Sequence, residues 1–189
     1  MGKLIVEEVI SADGYAARPD GGIDFFQSAG DFAETEQEQL QVLSTVDAIL
    51  LGANTYKMFA DYWPSADPAL ERIAGPINTL PKHVVAARLQ EAPWGSFAPA
   101  ALERAPLAAV VLALKERYRG SIMVWGSLKL CASLFRLGEV DELRLRIIPV
   151  LIGEGIPLTP PELDTTKLKL VDSRTYPHGF VSLSYTVGR

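Results

Sequence analysis

The feature that most constrains this chain is the alternation, along most of its length, of short β-branched apolar runs with stretches of helical period. A strand covered by helices on both faces reads as a continuous apolar run, and parallel neighbours need a crossover between them. This order therefore predicts an α/β fold built on a largely parallel sheet. The strand-like runs are Lys3 to Ile10 (KLIVEEVI), Ala48 to Leu51, Lys82 to Ala87 (KHVVAA), Ser121 to Trp125 and Glu142 to Val150. Lys167 to Thr175 and Phe180 to Val187, joined through Pro177-His178-Gly179, read as a closing antiparallel pair.

Between the strands, Asp31 offers an N-cap to a helix whose inner face falls on Phe32, Glu36, Leu40 and Leu43. A second helix starts after Gly52. A third follows Pro106, with Leu107, Val110, Val111, Leu114 and Tyr118 on one face and Gly120 beyond its end. A fourth spans Ser127 to Leu137 and is closed by Gly138. Six of the thirteen prolines lie between Pro64 and Pro99, which predicts a loop-rich segment. With no repeat and no linker, residues 1–189 read as a single domain.

Composition removes several function classes. The 18 basic and 23 acidic side chains are interspersed, without the clustered Lys and Arg that phosphate neutralisation requires, so nucleic acid is not an expected partner. The longest apolar run, Leu107 to Leu114, is far too short to span a bilayer, and no secretory signal opens the chain. A single cysteine, Cys131, makes no internal disulfide and fits a reducing, cytoplasmic setting. His83, His178 and Cys131 have no metal-ligand spacing, and neither a nucleophile elbow nor a Cys-His pair is present.

Two strand-to-helix junctions carry the chemical signal. In Ile122-Met123-Val124-Trp125-Gly126-Ser127-Leu128 a buried strand runs into a glycine and then a helix, whose unpaired N–H groups and dipole suit an anion. Ile49-Leu50-Leu51-Gly52-Ala53-Asn54-Thr55-Tyr56 repeats the arrangement. Alone, the Gly126-Ser127 junction reads more readily as a tight strand–helix turn with Ser127 as an ordinary N-cap. Together, at the carboxyl edge of one sheet, they point to one elongated ligand such as a dinucleotide.

These junctions, with Ser11-Ala12-Asp13-Gly14-Tyr15-Ala16-Ala17 and the long block Gly138-Glu139-Val140-Asp141-Glu142-Leu143-Arg144-Leu145 continuing through Pro149-Val150-Leu151-Ile152-Gly153-Glu154-Gly155-Ile156-Pro157-Leu158, resemble the dihydrofolate-reductase-like superfamily. The closer resemblance is to the reductase domain of bacterial riboflavin biosynthesis and its stand-alone relatives. It implies a mixed, mostly parallel eight-stranded sheet flanked by helices, a homodimer, and NADPH or NADH laid across the carboxyl edge. The activity implied is hydride transfer to a pterin- or folate-like heterocycle or to a ring-opened riboflavin precursor. The alternative is a nucleotide-binding protein of the same fold that has lost efficient catalysis.

By the same resemblance, Trp125, Gly126, Ser127 and Leu128 hold the cofactor from one side and Gly52, Asn54 and Thr55 from the other, with Ala16 beside the nicotinamide. Ala53 stands where relatives usually carry arginine, and Ala86-Ala87-Arg88 where they often have Ser-Arg-Thr, which leaves Arg88 to meet a ribose 2′-phosphate. Hydride transfer also needs a proton source. Candidates are Glu36, the one charge on its helix stripe, and Asp13 at the tip of the first strand. Glu36 reads either as an inward acid with a raised pKa or as the wet edge of its helix, and Asp13 either as an acid or as a turn former. Tyr15 and Asp24 are placed at the substrate pocket.

Overall fold

The central strand β1 (Lys3–Ser11) buries Leu4, Ile5 and Val6 together, because helices cover both of its faces. The computed structural model describes residues 1–30 and 32–188, so the N-cap assigned to Asp31 lies outside the described residues. After β1 come β2 (Tyr15–Ala17), a 3-10 turn (Asp24–Ala29), α1 (Ala33–Leu43), β3 (Val46–Gly52), α2 (Ala53–Tyr62), α3 (Ala74–Thr79), β4 (Lys82–Val85) and β5 (Ala101–Glu103). The chain continues through α4 (Leu107–Arg117), β6 (Ser121–Val124), α5 (Leu128–Arg136), β7 (Glu142–Ile148), β8 (Ile156–Pro157), β9 (Leu168–Thr175) and β10 (Val181–Val187).

Eight strands form one sheet in the order β5-β4-β3-β6-β1-β7-β10-β9, and β2 pairs with β8 in a separate two-stranded piece. The ladders from β5 to β7 are parallel, whereas β10 runs antiparallel to both β7 and β9. The expected mixed, mostly parallel eight-stranded sheet is what the chain forms. On one face α4 and α5 pack Val110, Val111, Leu114, Leu130 and Leu134 against Leu4, Val6 and Leu50. On the other, α1, α2 and α3 bring Leu43, Tyr56 and Ile77 against Ile5, Ile49 and Leu51. Each fully buried Leu or Ile here contributes roughly 1.5–3 kcal/mol relative to exposure. Among the described residues no helix is long and apolar enough to cross a membrane.

One detail of register positions the site. β1 pairs with β6 only as far as Val6 and Val124, yet it continues along β7 to Ser11 and Ile148. Beyond Val124 the chain turns instead towards β3, where the Gly52 N–H donates to the Gly126 carbonyl at 3.1 Å. Two parallel neighbours therefore part at the carboxyl edge and leave a notch.

Several elements escape the sequence reading. β2, β5 and β8 are only two or three residues long, and the proline-rich stretch contains α3, whose last carbonyls accept hydrogen bonds from the buried Lys82 ammonium. The phase of α1 is also corrected. Its buried positions are Thr35, Glu38, Gln39 and Leu43, not the stripe through Phe32, Glu36 and Leu40.

Candidate active site at the carboxyl edge of the sheet

The notch is bounded by the N-termini of α2 and α5. Neither helix has a side-chain cap hydrogen bond, so their first N–H groups remain available to a ligand. The two junctions touch. A Cβ on Gly52 would stand 2.4 Å from Ser127 Oγ, and one on Gly126 would stand 2.7 Å from Thr55 Oγ1. Gly126 also has φ +70°, a left-handed conformation that L side chains rarely adopt, and the peptide bond to Ser127 is cis. Glycine is thus required twice over at Gly126, where the backbone is bare towards the cleft. Gly52, Asn54, Thr55, Gly126, Ser127 and Leu128 are brought to one place, where the backbone is bare and neither helix start is capped by a side chain.

Two adjacent glutamates of β1 form the floor, one on each face of the sheet. Glu7 Oε1 accepts from Gln39 Nε2 at 2.6 Å and from Trp125 Nε1 at 2.9 Å, while Oε2 accepts from Arg144 Nε at 3.0 Å. Arg144 also donates to Glu38 Oε1 at 2.6 Å and to Ser184 Oγ at 2.8 Å, and Tyr176 donates to the other Glu38 oxygen. This network is buried, with Glu7, Glu38 and Arg144 side chains only 3%, 6% and 13% exposed. Burial alone would raise the pKa of Glu38, but Tyr176, Ser182 and Arg144 outweigh it and the pKa is lowered. These carboxylates are committed to one guanidinium, and the network fixes Trp125 and Gln39 at the notch.

Glu8 faces the opposite way. Its Oε1 accepts from the Cys131 thiol at 3.5 Å, and a Cβ on Gly126 would lie 3.3 Å from the same oxygen. Burial pushes its carboxyl up to about 8, against a partial offset from the thiol. Of the acids on the floor, it is the one placed to keep its proton at neutral pH.

The other predicted residues are distributed as follows. Ala16 is buried in β2, and Tyr15 beside it is half-buried, packed where a Cβ on Gly155 would come within 2.9 Å of it. Arg88 is exposed, three residues past β4 at the same edge. Asp24 is paired with Arg18 at 2.7 Å. Asp13 is spent on a turn: it accepts from Ser11 Oγ at 2.6 Å and from the backbone N–H groups of Ile152 and Gly153 at 3.1 and 2.7 Å, and these bonds lower its pKa. Glu36 points away from the floor and accepts from the Arg72 N–H at 2.5 Å, because α1 is rotated relative to the stripe read from the sequence.

Sequence reasoning passed over Glu7, Glu8, Glu38 and Arg144. Two consecutive carboxylates inside a strand otherwise fit for a core, KLIVEEVI, were the available signal. Buried charge of that kind is costly unless it is paired or protonated.

Comparison with known proteins agrees with this architecture. The chain is 28% identical over 97% of its length to the uncharacterised protein YyaP of Bacillus subtilis, of which it covers 94%. A Shewanella sp. PV-4 crystal structure, described as a candidate riboflavin biosynthesis protein, superposes with TM-score 0.80 at 20% identity, covering 99% of both chains. The riboflavin biosynthesis reductase Rib7 of Saccharomyces cerevisiae gives 0.58 at 15% identity over 99% of this chain and 90% of that one. Schistosoma mansoni dihydrofolate reductase shares the fold with TM-score 0.60 at 17% identity, covering 98% of both chains. The model of the RibD C-terminal domain matches residues 2–182, and the chain belongs to that family.

Proposed function

We propose that the chain is an NADPH- or NADH-dependent reductase acting on a pterin- or folate-like heterocycle or a ring-opened riboflavin-precursor-like compound. The observation that carries this reading is the convergence of two uncapped helix N-termini on the bare Gly52 and Gly126 backbones, beside a notch in the sheet. Membership of the RibD C-terminal domain family and folds shared with named reductases support it.

In this reading Gly126, Ser127, Leu128, Gly52, Asn54 and Thr55 hold the cofactor's diphosphate through backbone N–H groups and hydroxyls. When bound, the reduced nicotinamide supplies hydride. Trp125, held by Glu7, walls the notch on the α1 face, and Ala16 closes it from β2. Arg88 is the cation available to a 2′-phosphate, so the preference for NADPH over NADH rests on it. The exposed edge of β9, with Leu168, Leu170 and Val171 accessible, is where a second copy would add to form a homodimer.

The test is direct. NADPH or NADH should quench Trp125 fluorescence, and Ser127→Asp should weaken binding at least about tenfold by setting a like charge at the phosphate site. Unchanged affinity would place the phosphates elsewhere. Oxidation of NADPH with pterins, folates or pyrimidine precursors then separates a reductase from a binding protein without chemistry.

A further inference from the structure

Glu8 is the one acid at the cleft that the proposed function leaves without a task. It stands at the notch, one residue from Glu7 but on the other face, and converges with Thr55 on the bare Cα of Gly126. The titratable groups acting on it are Cys131, from α5, and Glu7, on its own strand. β7 sets Leu145 beside it in register, α2 presents Thr55, and no cation among the described residues forms an ion pair with it. The Cys131 thiol is itself pushed well up by burial and does not supply a charge. A carboxylate here would face the helix N-termini as a competitor to the ligand's phosphates.

We infer that Glu8 enters the nucleotide complex as a neutral carboxylic acid, donating a hydrogen bond into the cleft, so that ligand binding is coupled to retention of one proton. This rests on the nucleotide reading of the cleft. The physical basis is the setting: a half-buried acid with a weak thiol donor as its hydrogen-bond partner, adjoining two helix N-termini suited to negative charge. Its elevated pKa in the free protein agrees. Ionising it puts repulsion against a phosphate where the neutral acid puts a donor, so affinity falls as pH rises past its titration.

NADH is the suitable probe, because it has no group of its own titrating between pH 7 and 9.5. Its dissociation constant, followed by tryptophan quenching, should rise about tenfold between pH 7 and pH 9 in the unaltered protein. In Glu8→Gln it should change by less than about twofold over that range, whatever its value at pH 7. A flat profile in the unaltered protein, or the same slope in Glu8→Gln, overturns the inference while leaving the nucleotide reading intact. Failure of both NADH and NADPH to bind at any pH overturns the nucleotide reading, and this inference with it. Should Glu8→Gln not fold, the carboxyl carbon of Glu8 can be followed by NMR in the unaltered chain. Its titration should be displaced to higher pH by NADH, and an ionised Glu8 in the complex at pH 7 would refute the coupling.

Discussion

Replacing Gly126 by alanine would require an L residue to hold φ +70° and would bring its methyl to 2.7 Å from Thr55 Oγ1. The strain costs about 1–3 kcal/mol, readable as a lower denaturation midpoint, and the displaced turn should abolish nucleotide quenching. Gly14, also at positive φ but with nothing near its Cβ position, provides the control: Gly14→Ala should lose stability without losing binding. Glu8 makes a prediction of the opposite sign. Its carboxyl, raised from 4.5 to about 8, stays protonated in the folded chain while the unfolded chain releases that proton, so stability falls as pH rises from 4.5 to 8. Glu8→Gln should therefore stabilise the protein by about 1–3 kcal/mol at pH 8 and by nothing near pH 4, as compared in urea denaturation.

The element that best separates what the sequence discloses from what it withholds is α1. Strands and helices with apolar inner faces could be placed within a residue or two, as in α4, because burial of Val110, Val111 and Leu114 is written in their spacing. α1 buries Thr35, Glu38 and Gln39 against the Arg144 network, so a stripe sought in apolar residues lands on the wrong face. The glycine junctions were legible because close backbone approach tolerates no other residue. The glutamate floor was not, since its partners arrive from β7, β10 and α1, far apart in sequence. The outcome can be measured. Glu36→Gln should leave stability within about 0.5 kcal/mol, whereas Glu38→Gln should cost about 3 kcal/mol by leaving Arg144 short of a buried partner. Because the Glu38 pKa is lowered, the stability it contributes is present above its unfolded value and lost as pH falls through its folded one. The difference between the two variants should then shrink in acid.

Across the molecule, stability grades along the sheet. β1, β3 and β6 lie between two layers of helices, whereas all eight residues of β9 are exposed at the sheet's edge. Amide exchange should be slowest in β1 and β6 and fastest in β9, and protection of β9 that increases with protein concentration would mark it as a contact between copies of the chain. A cavity of about 560 Å³ opens at the end of the sheet away from the notch, lined by Lys3, Glu38, Glu142, Arg144, Asp172 and Arg174. Those charges pair with one another, Lys3 with Glu142, Arg144 with Glu38 and Arg174 with Asp172. The notch lies at the other end, where β1 and β6 part company. On the proposed function, a flat ring seated at that gap would have Trp125, held by Glu7, on one side and Glu8 on the other, so its two faces are diastereotopic. Such walls dictate handedness: with cofactor deuterated at a single C4 position, the label should pass to product wholly or not at all.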